Sequence, residues 1–332
     1  MDSVDVVDLA RHLIDIDSTT GREREACAFL AGFLRGRGYV VVEQRVDEER
    51  FNVYAARGRP AVVLSTHLDC VPPFFPSRLD GDVLFGRGAC DAKGIAAAQI
   101  AAAERLAAIG CGEIGLLFVV GEERGSDGAR AANDLAPGSR FLVNGEPTET
   151  RLGSAMRGVL RVRLRASGRA AHSAYPELGD SAIEKLVDAL VALRSVPLPA
   201  DPDLGVTTYS VGTVNGGVAP NVVPAAADAE VMFRTVTPAE EVRTALRSLE
   251  RWVSIDDVLE VPPVRLTTVA GIEAAVFSFT TDIPFLTAWG QPLLLGPGSI
   301  HVAHTNHEHV AVAELHEAVD LYVRLVRSLL SA

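Results

Sequence analysis

Several acidic and imidazole side chains in this chain are spaced so that they could hold metal ions and move a proton. His67 and Asp69 close the segment Leu64-Ser65-Thr66-His67-Leu68-Asp69, a short apolar run. In a strand, residues i and i+2 point the same way, so one strand end aims an imidazole and a carboxylate at one spot. Asp91 lies in Gly86-Arg87-Gly88-Ala89-Cys90-Asp91-Ala92-Lys93-Gly94, a glycine-rich, strongly turned stretch that can bring a carboxylate between two ions. Glu122 and Glu123 follow the apolar run Leu116–Val120 and so sit at the end of a buried strand. Neighbours leaving a strand end face different ways, so one can ligate while the other stays free as a general base. Glu146 follows the apolar run 141–144, and His304 is one of a cluster with His301, His307 and His309. Spacing alone does not choose among these histidines. Mixed nitrogen and oxygen ligands, a shared carboxylate and a base for water are the parts of a two-metal hydrolytic site.

Other motifs say less. Gly86-Arg87-Gly88 lacks the further glycines of a dinucleotide loop and the Gly-Lys-Ser/Thr of a phosphate loop. His172, in 168–174, reads locally as a histidine near a turn. Arg234, after Val231-Met232-Phe233, reads as a surface charge or a clamp for a substrate carboxylate. The four cysteines Cys27, Cys70, Cys90 and Cys111 show no Cys-x-x-Cys spacing. Cys70 and Cys90 flank candidate ligands, but both read as small buried hydrophobes.

Elements of suitable kind surround these residues. Helical spacing marks 4–16 and 23–37, and an alanine-rich run predicts a buried helix over 93–108. Strands are expected at 39–42, 53–56, 61–66, 114–120 and 141–144, with the proline-rich 71–82 as a loop. Apolar strands alternating with helices, with polar residues at the strand ends, predict a doubly wound α/β sheet whose site forms at the carboxyl ends of its strands. From residue 158 the pattern changes to alternating apolar and charged residues, which suits a half-exposed antiparallel strand. A helix (180–194), two strands (207–214, 227–233) and a helix (238–252) follow. This order predicts an inserted α+β domain, after which a strand at 293–295 and a helix at 313–330 complete the first sheet. The expected division is a catalytic domain over 1–156 and 265–332, interrupted by a lid or dimerisation domain over 157–264.

Composition narrows the function. The chain has 332 residues, 48% of them hydrophobic, and a formal charge of −12. That charge argues against nucleic acid and anionic membranes, whose phosphates need a cationic surface. No apolar run reaches the roughly 18 residues of a membrane span. The acidic start Met1-Asp2-Ser3-Val4-Asp5 does not read as a secretory signal, and the cysteine usage suits a reducing cytoplasm.

Together the motifs resemble the co-catalytic di-zinc exopeptidases and deacylases, the family of acetylornithine deacetylase, succinyl-diaminopimelate desuccinylase, aminoacylase and glutamate carboxypeptidase. The matching segments are 65–69, 86–94, 121–123, 145–148, 168–173, 215–217 with 221–224, and 296–308. The last, with Thr281-Asp282-Ile283-Pro284-Phe285 before it, looks most like acetylornithine deacetylase. The resemblance implies a mixed-sheet, zinc-exopeptidase-like catalytic domain with a ferredoxin-like lid. It implies that His67, Asp91 and Glu146 hold one zinc, and that Asp91, Glu123 and His304 hold the other. Cobalt or manganese would suit the same ligands. It further implies that Glu122 is the general base and later the proton donor, that Asp69 orients His67, and that His172 stabilises the oxyanion, reaching the partner subunit's site in dimeric members. Asn221 and Arg234 match positions that bind the substrate's carboxylate end, and the Asp91–Ala92 peptide would be cis. The implied protein is a cytoplasmic homodimer that uses metal-activated water to hydrolyse a small N-acyl amino acid, N-acetylornithine first, or alternatively a dipeptide. A non-catalytic binding dimer is the reading of another class; it would be expected to have lost a ligand or the base, and every matched position is present.

Overall fold

The runs Val62–Leu64 and Leu116–Val119 are apolar without a break, which suits strands covered on both faces, and Val62–His67 and Ile114–Val119 are buried along their whole length. In the computed structural model, which describes residues 3–331, both are central strands of a six-stranded mixed sheet. The strands are β1 (Val40–Arg45), β2 (Phe51–Ala56), β3 (Val62–His67), β4 (Ile114–Val119), β5 (Phe141–Asn144) and β6 (Gln291–Leu294), in the spatial order β1-β2-β4-β3-β5-β6. Strands β4, β3, β5 and β6 run parallel; β2 runs antiparallel to β1 and to β4. Alternate residues serve opposite faces. Val62, Leu64, Leu116 and Phe118 join one apolar cluster with helices α1 (Val6–Ile14), α2 (Arg24–Gly36), α3 (Lys93–Ala108) and α4 (Val312–Ser331). Val63, Leu117, Val119 and Leu142 join a second cluster around Trp289.

Helix α1 starts where the Asp5 carboxylate accepts from the Val7 and Asp8 N–H groups, at 2.9 and 3.0 Å. The alanines of α3 keep it thin enough to be buried on nearly every side. Two expectations are corrected. The stretch 71–82 is not all loop: Arg78–Asp80 forms a strand pairing with Val83–Phe85 across a tight turn at Gly81. The helix expected over 238–252 is α-helical only over Ala239–Leu246 and tightens into a 3₁₀ turn at Arg247–Leu249.

The chain divides into two compact units, one of Met1–Ser154, Leu266–Ala275 and Thr281–Ala332, the other of Ala155–Arg265 and Val276–Thr280. The second is built on a four-stranded antiparallel sheet in the order Thr208–Gly216, Ala226–Thr235, Gly158–Ser167, Ser254–Val261. With helices Ala182–Leu193 and Ala239–Leu246 this is the βαββαβ arrangement of a ferredoxin-like fold, so the α/β sheet with an α+β insert expected from the sequence is the architecture observed. Leu160, Val162 and Leu164 face its core with Leu186, Ala189 and Phe233, while Arg161, Arg163 and Arg165 point away.

Candidate metal centre

Parallel strands deliver their carboxyl ends to one edge, and the candidate residues leave from that edge. His67 is the last residue of β3 and lies opposite Val119 of β4; Ser65 lies opposite Asn144 of β5. After Val120 the chain turns sharply at Gly121, whose φ is 77°. A side chain there would also collide with the Asp127 carboxylate, so glycine is required twice over. The turn leads into a 3₁₀ segment, Glu122–Arg124. Its N–H groups at Glu122 and Glu123 donate to the two oxygens of Asp69, at 3.0 and 3.1 Å, and the Thr20 hydroxyl donates to the second at 2.9 Å. Asp91 precedes α3, and its peptide to Ala92 is cis, as the resemblance implied. His304 sits in a turn with φ 63°.

These elements bring two ligand groups together. His67 Nε2 lies 2.9 Å from Asp91 Oδ1 and 4.0 Å from Glu146 Oε2. His304 Nε2 lies 3.2 Å from Asp91 Oδ2 and 2.9 Å from Glu123 Oε1. Within each group, His67–Asp91–Glu146 and Asp91–Glu123–His304, the ligand atoms lie within 4.8 Å of one another. Asp91 belongs to both and offers a different oxygen to each. Cys70 and Cys90 belong to neither.

Asp69 does more than face an imidazole. Its backbone carbonyl lies 2.9 Å from His67 Nδ1, while its carboxylate is 3.5 Å away. A carbonyl can only accept, so Nδ1 carries the proton and Nε2 is left to face Asp91. The carboxylate of Asp69 chiefly holds the Glu122–Glu123 turn.

The electrostatics ask for cations. Burial, and then the neighbouring Glu146 charge, push the Glu122 carboxyl well above the usual range, although part of its side chain reaches solvent. Burial does the same to Glu146, helped by Asp91. Burial works against a charged His67, but its contacts with Asp69 and Asp91 outweigh this and raise its pKa. The half-exposed His304 is raised to about 10 by hydrogen bonds to Asp91 and then Glu123. Glu146 Oε1 is buried with no hydrogen-bond partner. Converging carboxylates, two imidazoles and an orphaned oxygen fit a pair of divalent cations.

The other expected residues lie in the second unit. His172 is exposed, and its Nδ1 accepts from the Ala174 N–H at 3.1 Å. The short strands Ala171–His172 and Val222–Val223 pair, and the Ser173 N–H donates to the Asn221 carbonyl at 3.0 Å, so His172 and Asn221 are neighbours. Arg234 is half-buried inside a strand that runs on to Thr235; among the described residues its guanidinium has no hydrogen-bond or ion-pair partner.

Two acids escaped the sequence reading of roles. Glu308 is buried and grips the Asp91 segment. Asp282 is buried; burial holds its pKa near 7 against the pull of the Ser126 hydroxyl beside it, and its charge bears on Glu122 and Glu146. Both lie in segments quoted for the resemblance, but nothing in their spacing said that they were buried.

Comparison with known proteins agrees with this geometry. The model of peptidase family M20/M25/M40 matches residues 63–328. A probable carboxypeptidase of Aspergillus terreus is 41% identical over 367 aligned residues, covering 96% of this chain and 85% of its own. A tripeptidase from Staphylococcus aureus superposes with a TM-score of 0.82 at 18% identity, covering 98% of both chains. A dinuclear metal-binding M20 peptidase from Bacillus subtilis superposes with a TM-score of 0.70 at 16% identity, covering 97% of this chain and 98% of its own. At such identities these two structures speak for the fold. No helix among the described residues is long and apolar enough to cross a membrane.

Proposed function

The chain belongs to peptidase family M20/M25/M40, and on that premise we propose that it is a two-metal exopeptidase that removes a C-terminal residue from small peptides, dipeptides included. One observation carries the chemistry: two ligand groups share Asp91, and the base candidate Glu122 lies close enough to feel the charges of Glu146 and His67. The carboxypeptidase name of the 41%-identical relative favours a peptide over an N-acyl amino acid.

In this reading His67, Asp91 and Glu146 hold one cation, and Asp91, Glu123 and His304 hold the other. Divalent ions held there, zinc, cobalt or manganese, would supply Lewis acidity toward the scissile carbonyl and the attacking water. The chain's residues do the rest. Glu122 takes a proton from the attacking water and returns it to the departing amine, and a carboxyl with a raised pKa suits both steps near neutral pH. Asp69 fixes Glu122 through the backbone N–H and His67 through its carbonyl. Asn221 and Arg234 take the substrate's terminal carboxylate; a half-buried guanidinium without a partner is suited to it. His172 donates to the oxyanion.

The same reading makes the protein a homodimer through its second unit. The edge strand Thr208–Gly216 is open, with Val211 40% and Val214 58% exposed, and helix Ala182–Leu193 leaves Val187 and Val191 more than half exposed. A fully active monomer in sedimentation would remove the dimer and any role for His172 across it.

The test of function is a panel of dipeptides, tripeptides and N-acetyl and N-succinyl amino acids, assayed with added Zn²⁺, Co²⁺ and Mn²⁺. Peptides with a free C-terminal carboxylate should be cleaved fastest. Faster turnover of N-acetylornithine would restore the deacetylase that segments 281–285 and 296–308 suggested.

A further inference from the structure

We propose that the buried ion pair Arg87–Glu308 is the positioning device of the metal centre, setting Asp91 and His304 before any cation arrives. The inference rests on the two-metal reading above. Both side chains are about 1% exposed, and Arg87 Nη1 donates to Glu308 Oε2 at 2.6 Å. The other oxygen, Oε1, accepts from three successive parts of the Asp91 turn: Gly88 N–H at 2.9 Å, Cys90 N–H at 3.3 Å and Asp91 N–H at 3.1 Å. The Glu308 carbonyl accepts from Gly86 N–H at 3.2 Å. Arg87 is anchored on its far side, where Nε donates to the Pro73 carbonyl at 3.2 Å.

A buried ion pair is a poor source of stability, because desolvating both charges costs about what their attraction returns. It is a good source of position. The Glu308 carboxylate fixes the backbone of Asp91, the only residue common to both ligand groups. Glu308 also lies four residues after His304, so the same carboxylate ties the His304 segment to the Asp91 turn. Arg87 neutralises Glu308 and occupies its second oxygen, which keeps this acid out of the ligand set although it touches the backbone of a ligand. Glu308 therefore holds the backbone of Asp91, which serves both groups, and fixes beside it the chain four residues past His304.

Stepwise Co²⁺ binding to the metal-free protein, read by calorimetry and visible absorption, tests this with Glu308→Gln, Arg87→Lys and His304→Ala. His304→Ala marks the step that belongs to its own group. In Glu308→Gln that step should weaken about 10- to 100-fold, as loss of a ligand-orienting partner does. The other step should weaken less, and the metal-free thermal midpoint should stay within a few degrees of the parent. Arg87→Lys should weaken the same step by a smaller factor, and it carries the test if Glu308→Gln does not fold. Parent-like affinities and Co²⁺ spectra in the folded variants would overturn the proposal. So would equal weakening of both steps in parallel with a lowered thermal midpoint, the mark of a merely structural pair. A parent that binds a single Co²⁺ would defeat the two-metal reading itself and the proposal with it, an outcome distinct from a two-ion parent with two-ion variants.

Discussion

At the carboxyl edge of the six-stranded sheet, Asp91, Glu122, Glu123 and Glu146 crowd around two imidazoles. On the outer face of the insert's sheet, Arg161, Arg163 and Arg165 alternate along one strand, with Glu230 and Asp256 on the strands either side. Both regions are dense in charge, and the difference lies in how it is met. In the insert Glu230 and Asp256 each have an arginine across the ladder: Glu230 beside Arg163 and 3.8 Å from Arg161, and Asp256 3.2 Å from Arg165. These groups keep contact with water, so their charge needs little from the protein. At the sheet edge Asp91 and Glu146 are about 5% and 4% exposed, and among the described residues these acids have no arginine or lysine ion pair. Charge that is buried and in excess is unstable alone and implies an absent partner of opposite sign, whereas charge that is paired and wet implies only a soluble surface.

If that contrast is right, His67→Ala should have the largest effect of any single change. The variant should lose the ion of its group, and hydrolysis should fall to background. Metal analysis checks this, and full occupancy of both positions would break the assignment. Glu122→Gln should separate chemistry from metal binding. With both ions retained, kcat should fall by about 100- to 10,000-fold, the usual worth of a positioned acid–base group. Near-parental rates with a responsive peptide would remove Glu122 from the mechanism.

A third expectation concerns pH. In the metal-free protein His304 has its pKa raised from 6.5 to about 10, chiefly by Asp91 and then Glu123. The folded value exceeds the unfolded one, so this pairing stabilises the metal-free fold fully below about pH 6.5 and loses its contribution as pH rises through about 10. A cation must displace that proton. Apparent affinity for the His304 group should therefore climb as pH rises from 6.5 to 8.5, by up to about tenfold per unit for each proton released. A flat profile in Zn²⁺ titrations would mean that the acids at the edge do not hold His304 protonated.

The sequence made the ligands legible and left their support obscure, for a physical reason. His67, Glu122 and Glu146 each stand within three residues after an apolar run, so burial of the strand predicts the placement of what comes after it. The parallel alignment of β3, β4 and β5 then follows from crossovers through helices. Nothing local announces that Asp69 would grip the Glu122–Glu123 turn, because that contact joins residues more than fifty apart in the chain. Glu308 reaches Gly88 across 220 positions and reads locally as one more polar residue in a histidine cluster. In the insert, the strand Ser254–Val261 shows no regular alternation, because a bulge between Asp257 and Leu259 breaks it. Long-range hydrogen bonds and irregular edges carry no periodicity, so pattern cannot find them.

The smallest expected effect is the sharpest check on the insert's side of the contrast. Glu230 and Arg163 are register partners on adjacent antiparallel strands, and their ion pair is the tightest of that face. Side-chain exposures of 38% for Arg163 and 24% for Glu230 keep both within reach of solvent. In Arg163→Ala, Arg161 remains near enough to take over Glu230, and the strand loses a positive charge between two others at i−2 and i+2. Lost attraction and relieved repulsion oppose each other, and salt screens both. The thermal midpoint should therefore move by about 2 °C or less, and by less again in 0.5 M NaCl. A fall several times larger, insensitive to salt, would show that this ladder is structurally as demanding as the sheet edge. Wet and paired charge would then no longer be distinguishable from buried, unmatched charge by its consequences, and the argument from buried acid to bound metal would lose its control.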